Sequence, residues 1–150
     1  MKLIIFLLFL LLVFAAACST LKLQHADFAW PVESVISVDE NGQVSDDRYS
    51  ISFDTKSLFF EEKKDSSVYK GKIIRMLRDI NGYYFITAKN FNNVYVFQME
   101  NGSMALHNKI FISEIGIEDP ALNQRVPYIE LIDGDKSLYL TKNGIDRNIK

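Results

Sequence analysis

Cysteine is almost absent: of 150 residues only Cys18 carries a thiol. No intrachain disulfide is therefore available, and no cysteine-rich zinc site can form. Histidine is equally scarce, with His25 and His107 far apart and neither accompanied by a second ligand at metal-binding spacing. Only one long apolar run exists, Leu3 to Ala17, and its 15 residues fall short of the roughly 20 that span a bilayer as a helix. Neither sign of charge dominates, with 17 Lys+Arg against 19 Asp+Glu. Without a basic patch, the sequence argues against a nucleic-acid partner. Phosphate loops, dinucleotide fingerprints and the Gly-x-Ser-x-Gly elbow are missing as well.

What is present begins at the start of the chain. Met1-Lys2 precedes the apolar run, which ends in Ala15-Ala16-Ala17 directly before Cys18. A basic start, a short apolar core and a small-residue end are the parts of a secretory signal. Ala15-Ala16-Ala17-Cys18 resembles a lipobox, the cleavage motif of bacterial lipoproteins, and the resemblance covers residues 1–18 only. The family more often has Leu at the place of Ala15. The resemblance implies a diacylglyceryl group on the Cys18 thiol, cleavage after Ala17 and acylation of the new amino group. Three acyl chains hold far more firmly than one. Ser19, where retained lipoproteins of well-studied Gram-negative bacteria carry Asp, implies an outer-membrane location. The absence of acidic residues in Ser19-Thr20-Leu21-Lys22 implies a periplasmic orientation. Two other readings are a secreted protein in which Cys18 is incidental and an uncleaved membrane anchor.

The expected organisation is a removed signal over 1–17, a lipidated cysteine and tether over 18–29, and one domain over 30–150. After residue 17 the composition is ordinary for a globular domain, with about 42% apolar residues. Ile plus Val number 22 in this part against 14 Ala plus Leu, a bias towards strands. Five of the seven glycines follow Asn or Asp, at Gly42, Gly82, Gly102, Gly134 and Gly144. Such pairs accept the positive φ of tight hairpin turns. Alternation at Tyr49, Ile51 and Phe53 marks a half-buried strand, with Val32 to Val38 expected as its partner across Asn41-Gly42. Val94 to Phe97 is apolar on both faces and reads as a central strand. Leu58 to Glu61 reads as another short strand, and Asp119-Pro120-Ala121-Leu122 as at most one helical turn. The fold class expected is all-β, an antiparallel meander of about nine to ten strands closing as a small sandwich or barrel.

Candidate contact residues are few. Arg75 and Arg78 interrupt an apolar strand, where they either face a pocket for an anion or lie along an outer face with their stems over apolar neighbours. Phe28 and Trp30 either touch lipid headgroups or latch the first strand to the core. The acidic pairs Asp39-Glu40, Asp46-Asp47, Glu61-Glu62 and Asp133 with Asp135 read as turn residues and solvated faces. Asp133-Gly134-Asp135 lacks the remaining ligands of a calcium loop. No catalytic residue, metal or cofactor is assigned. The sequence leaves three functions open. The first is a non-enzymatic envelope lipoprotein that binds a protein or peptidoglycan partner. The second is a lipocalin-like carrier of a small apolar or anionic ligand. The third is a small envelope hydrolase, which a cleft of converging carboxylates would favour.

Overall fold

A computed structural model describes residues 32–149. Cys18, Ala17, Phe28, Trp30 and His25, and with them the signal and the tether, lie outside the described residues. Eleven strands and one helix follow in the order β1 Ser34–Ser37, β2 Gln43–Asp46, β3 Ile51–Asp54, α1 Lys56–Lys63, β4 Ile73–Arg78, β5 Tyr83–Ala88 and β6 Asn93–Glu100. Then come β7 Ser103–Phe111, β8 Pro120–Arg125, β9 Tyr128–Asp133, β10 Lys136–Thr141 and β11 Gly144–Asp146. The protein is mostly β, and every strand pair is antiparallel. Three open sheets result: β1-β4-β5-β6-β7, β11-β10-β9-β8 and the hairpin β2-β3. None closes into a barrel.

The five-stranded sheet is the middle layer, because the pairing register separates its apolar residues by face. Met76, Ile86 and Tyr95 are cross-strand neighbours on one side, and Leu77, Phe85 and Val96 on the other. The first face packs against Val44 of β2, Ile51 of β3 and Leu58 and Phe59 of α1. The second packs against Leu122, Ile129, Leu131 and Leu140 of the four-stranded sheet. All six residues of β5 are buried, as an inner strand covered on both faces must be. The adjacent rings of Tyr83, Tyr84 and Phe85 therefore all find cover within the chain.

All five Asn/Asp-Gly pairs sit at turns. At the β6–β7 turn Asn101 (φ 50°) and Gly102 (φ 79°) both take the left-handed conformation that a two-residue hairpin loop demands.

Four expectations need correction. Leu58 to Glu61 is helical rather than extended. Leu58, Phe59 and Glu62 lie on one helical face, the first two buried and the third tied to the central sheet. Lys64 closes the helix with a left-handed residue (φ 57°), its N–H donating to the Phe60 carbonyl at 2.8 Å. Asp119 to Leu122 starts no helical turn, since Pro120 opens β8, a position where its missing N–H costs no ladder bond. The partner of β1 is β4, and β3 pairs instead with β2, which begins just after the Asn41-Gly42 turn. Finally, the strands number eleven rather than nine or ten, since β2, β8 and β11 add to the expected set and Leu58 to Glu61 leaves it.

Candidate functional site

A cleft lies between the β7–β8 loop and the β9–β10 turn. Its volume is about 520 Å³, within the range of ligand-sized clefts. Ile112, Leu131 and Leu138 supply apolar lining. Glu118, Asp119, Asp133 and Asp135 bring four carboxylates to it, with Lys136 the one cation among the lining residues. Ile115, at the loop tip, is 85% exposed.

The loop that forms one wall is irregular but firmly held. The Asn92 side-chain amide donates to the carbonyls of Ser113 and Glu114, each at 2.7 Å. Main-chain bonds add Ile112 N–H to Asn92 O, Ile117 N–H to Phe91 O and Asn90 N–H to Ile117 O. Gly116 packs so tightly that a Cβ there would lie 2.9 Å from the Asn90 carbonyl oxygen, and its φ is +90°. Asp133 ties this wall to the other, its Oδ1 accepting the N–H groups of Glu118 at 3.0 Å and Asp119 at 2.8 Å. The cleft is thus built before any partner arrives, which lowers the ordering cost of binding.

These bonds also define the chemistry. Asp133 clamps backbone, so the same oxygen is not free to move protons. Among the described residues no group of three or more His, Cys, Asp or Glu is placed to hold a metal ion. Apolar lining under an acidic rim suits an apolar group carried beside positive charge.

The residues singled out in the sequence fall elsewhere. Arg75 Nη1 donates to Glu33 Oε2 at 2.9 Å, and Glu33 Oε1 accepts the Leu122 N–H at 2.7 Å. Arg75 and Glu33 together thus pin the free edge of β8 to the central sheet. Arg78 is exposed, its guanidinium 5.8 Å from the centre of the Tyr84 ring. Neither arginine lines the cleft. The His107 ring lies tilted against Tyr83, centroids 4.9 Å apart, and the Tyr83 hydroxyl accepts a bond from Lys142 Nζ at 3.0 Å. Asp39 is a turn residue that accepts the N–H groups of Asn41 and Gln43, whereas Asp46, expected at a turn or on a solvated face, is buried at the end of β2 and accepts the Arg48 N–H and the Ser34 hydroxyl. Glu62 Oε1 accepts the Tyr95 hydroxyl and the Asn93 amide, each at 2.7 Å. Burial first, and then this bond to Glu62, pushes the Tyr95 phenol well above its ordinary value, so it remains a donor.

The cleft joins residues about twenty apart in sequence, and only Asp133 and Asp135 drew notice beforehand. The signal that pointed to the rest was weak: an acidic stretch, Glu114 to Asp119, carrying three isoleucines or glycines between its charges. No family model matches the chain, and no curated protein or solved structure matches it significantly.

Proposed function

We propose that the protein is a lipid-anchored envelope lipoprotein whose β domain is a non-enzymatic binding module. The observation that carries the binding role is the preformed cleft between the β7–β8 loop and the β9–β10 turn. It combines an apolar patch with an acidic rim, its walls are cross-tied by Asn92 and Asp133, and an exposed isoleucine stands at its edge. The non-enzymatic reading is supported by Asp133, whose Oδ1 holds two backbone N–H groups and so serves as a clamp between the walls. The lipocalin-like alternative loses its main support, since the sheets are open and the centre of the molecule is filled by side chains.

The anchoring half of the proposal rests on Ala15-Ala16-Ala17-Cys18. With Cys18 acylated and Ala17 the last residue removed, roughly ten tether residues allow at most about 35 Å between membrane and domain. The module then works near the bilayer, probing an envelope protein or peptidoglycan, most simply from the periplasmic face of the outer membrane.

Two measurements test this. Labelled fatty acid should enter the wild-type protein and not Cys18→Ser; an unlabelled, soluble wild-type protein refutes the anchor. A photo-crosslinking residue at Ile115 should yield a discrete adduct in intact cells, while one at Phe60, exposed on the helical layer, should not. Equal adducts at both positions, or none at Ile115, refute the cleft as the docking surface.

A further inference from the structure

Resting on that reading of the cleft, we infer that its occupant is a peptide segment of a partner protein in which basic side chains alternate with aliphatic ones. Charge complementarity selects the sign. Glu118, Asp119 and Asp135 are exposed at the rim, whereas Lys136 is the lone lining cation. An anionic headgroup or an acidic peptide would meet repulsion at this rim. The lining selects the apolar component: half-buried Ile112 and Leu138 offer a surface for an aliphatic group and no polar handle of their own.

Size and shape select a peptide over a small cationic molecule. A molecule confined against Ile112 and Leu138 leaves Ile115 in water, 85% exposed at the tip of a loop that is otherwise pinned. A segment long enough to pass over the rim covers Ile115 while it places positive charge beside Glu118 and Asp135. The pinned loop also means that Ile115 is held outward by its backbone. The backbone on both sides of it is fixed by the Asn92 and Phe91 bonds.

The test uses the detergent-solubilised full-length chain and three synthetic twelve-residue peptides, alternating Leu-Lys, Leu-Glu and Ser-Lys. Fluorescence anisotropy should give saturable binding of the Leu-Lys peptide, at least tenfold tighter than either control, and weakening at least fivefold between low and high salt. Reversing the rim charge with Glu118→Lys and Asp135→Lys should weaken binding at least tenfold, and Ile115→Ser should do so independently. Glu100→Lys, at the β6–β7 turn, should leave it unchanged. Circular dichroism of each variant should match wild type, as the altered side chains are exposed. The inference is overturned if the Leu-Glu peptide binds equally well, if the charge-reversed and Ile115→Ser proteins both bind like wild type, or if no saturable binding occurs. A short single-chain alkylammonium binding as tightly as the peptide would overturn the assignment to a peptide. A discrete adduct at Ile115 together with a failed peptide result removes the partner class and leaves the docking surface. No adduct removes both.

Discussion

Glu62 leaves the last turn of α1 and accepts three hydrogen bonds, from the Asn92 N–H at 2.6 Å, the Asn93 amide and the Tyr95 hydroxyl. Truncation strands three donors in a partly buried place, and each unpaired buried group costs about 1–3 kcal/mol. Since water reaches part of the site, Glu62→Ala should lose about 2–3 kcal/mol in urea unfolding, and Glu62→Gln less. An unchanged midpoint would show that the helix is held by Leu58 and Phe59 alone. The neighbouring Glu61 behaves differently. The hydrogen bond from Lys109 Nζ, at 2.6 Å, is the largest cause holding its carboxyl below the ordinary value, followed by the Lys109 charge and then that of Lys64. A depressed folded-state pKa stabilises above the unfolded value, and that contribution disappears as pH falls through the folded value. Glu61 is exposed, so its effect on stability is small. Lys109→Met should instead appear in an NMR titration as an upward move of the Glu61 midpoint, with the unfolding midpoint nearly constant.

At the scale of elements, the β7–β8 loop joins the central layer to the four-stranded one and forms a cleft wall. Gly116 sets its path. Gly116→Ala would place a methyl group against the Asn90 backbone at a φ of +90°. Strain of this kind costs about 1–3 kcal/mol. The substitution should lower the urea midpoint and accelerate amide exchange at Ile117, whose N–H bonds to Phe91 O. Unaltered exchange would mean that the loop shifts freely, contrary to its bonding. The elements differ in how plainly the sequence announces them. β4, β5 and β6 are apolar and β-branched, and the Asn-Gly pairs at 81–82 and 101–102 mark the turns after β4 and β6, so they were legible. By contrast, β2 (Gln-Val-Ser-Asp) has one apolar residue, β11 has three residues in all, and β8 is an edge strand that turns polar after Leu122. Their strand character comes from partners, which one-dimensional alternation cannot display. The helix α1 is eight residues long, below the window in which a helical period emerges, and its two adjacent phenylalanines mimic a strand. The cleft was illegible for a related reason. Asp133 and Asp135 are visible as a turn, but their meeting with Glu118 and Asp119 depends on the Pro120–Asp133 register.

Across the whole molecule, the two apolar clusters share a single sheet. Alternation along β4 sends Ile74 and Met76 towards the hairpin and helix, and Leu77 towards the four-stranded sheet. A one-residue slip in β4 or β5 would exchange these sets, so each cover layer enforces the register on which the other depends. Met76 and Phe85 are both fully buried, one in each cluster. Met76→Ala should therefore cost about 2–5 kcal/mol, and Phe85→Ala about 3–5 kcal/mol. If the layers form one cooperative unit, far-UV and near-UV circular dichroism should report coincident transitions for the wild-type chain. Each substitution should then move both midpoints together, whichever cluster it touches. Tyr49, Tyr69, Tyr84 and Tyr95 gather on the hairpin side, whereas Tyr83 belongs to the opposite cluster and Tyr128 and Tyr139 to the four-stranded sheet, so NMR signals of the first four report the hairpin side alone and make Phe85→Ala the more demanding case. It removes a ring from the opposite face, and it should lower the midpoint of those hairpin-side tyrosines only if stability passes through the shared sheet. Separate midpoints in Phe85→Ala, with the tyrosine transition left near its wild-type position, would mean that the four-stranded sheet opens by itself. The cleft, whose two walls span that junction at Asp133, would then be a transient rather than a standing surface.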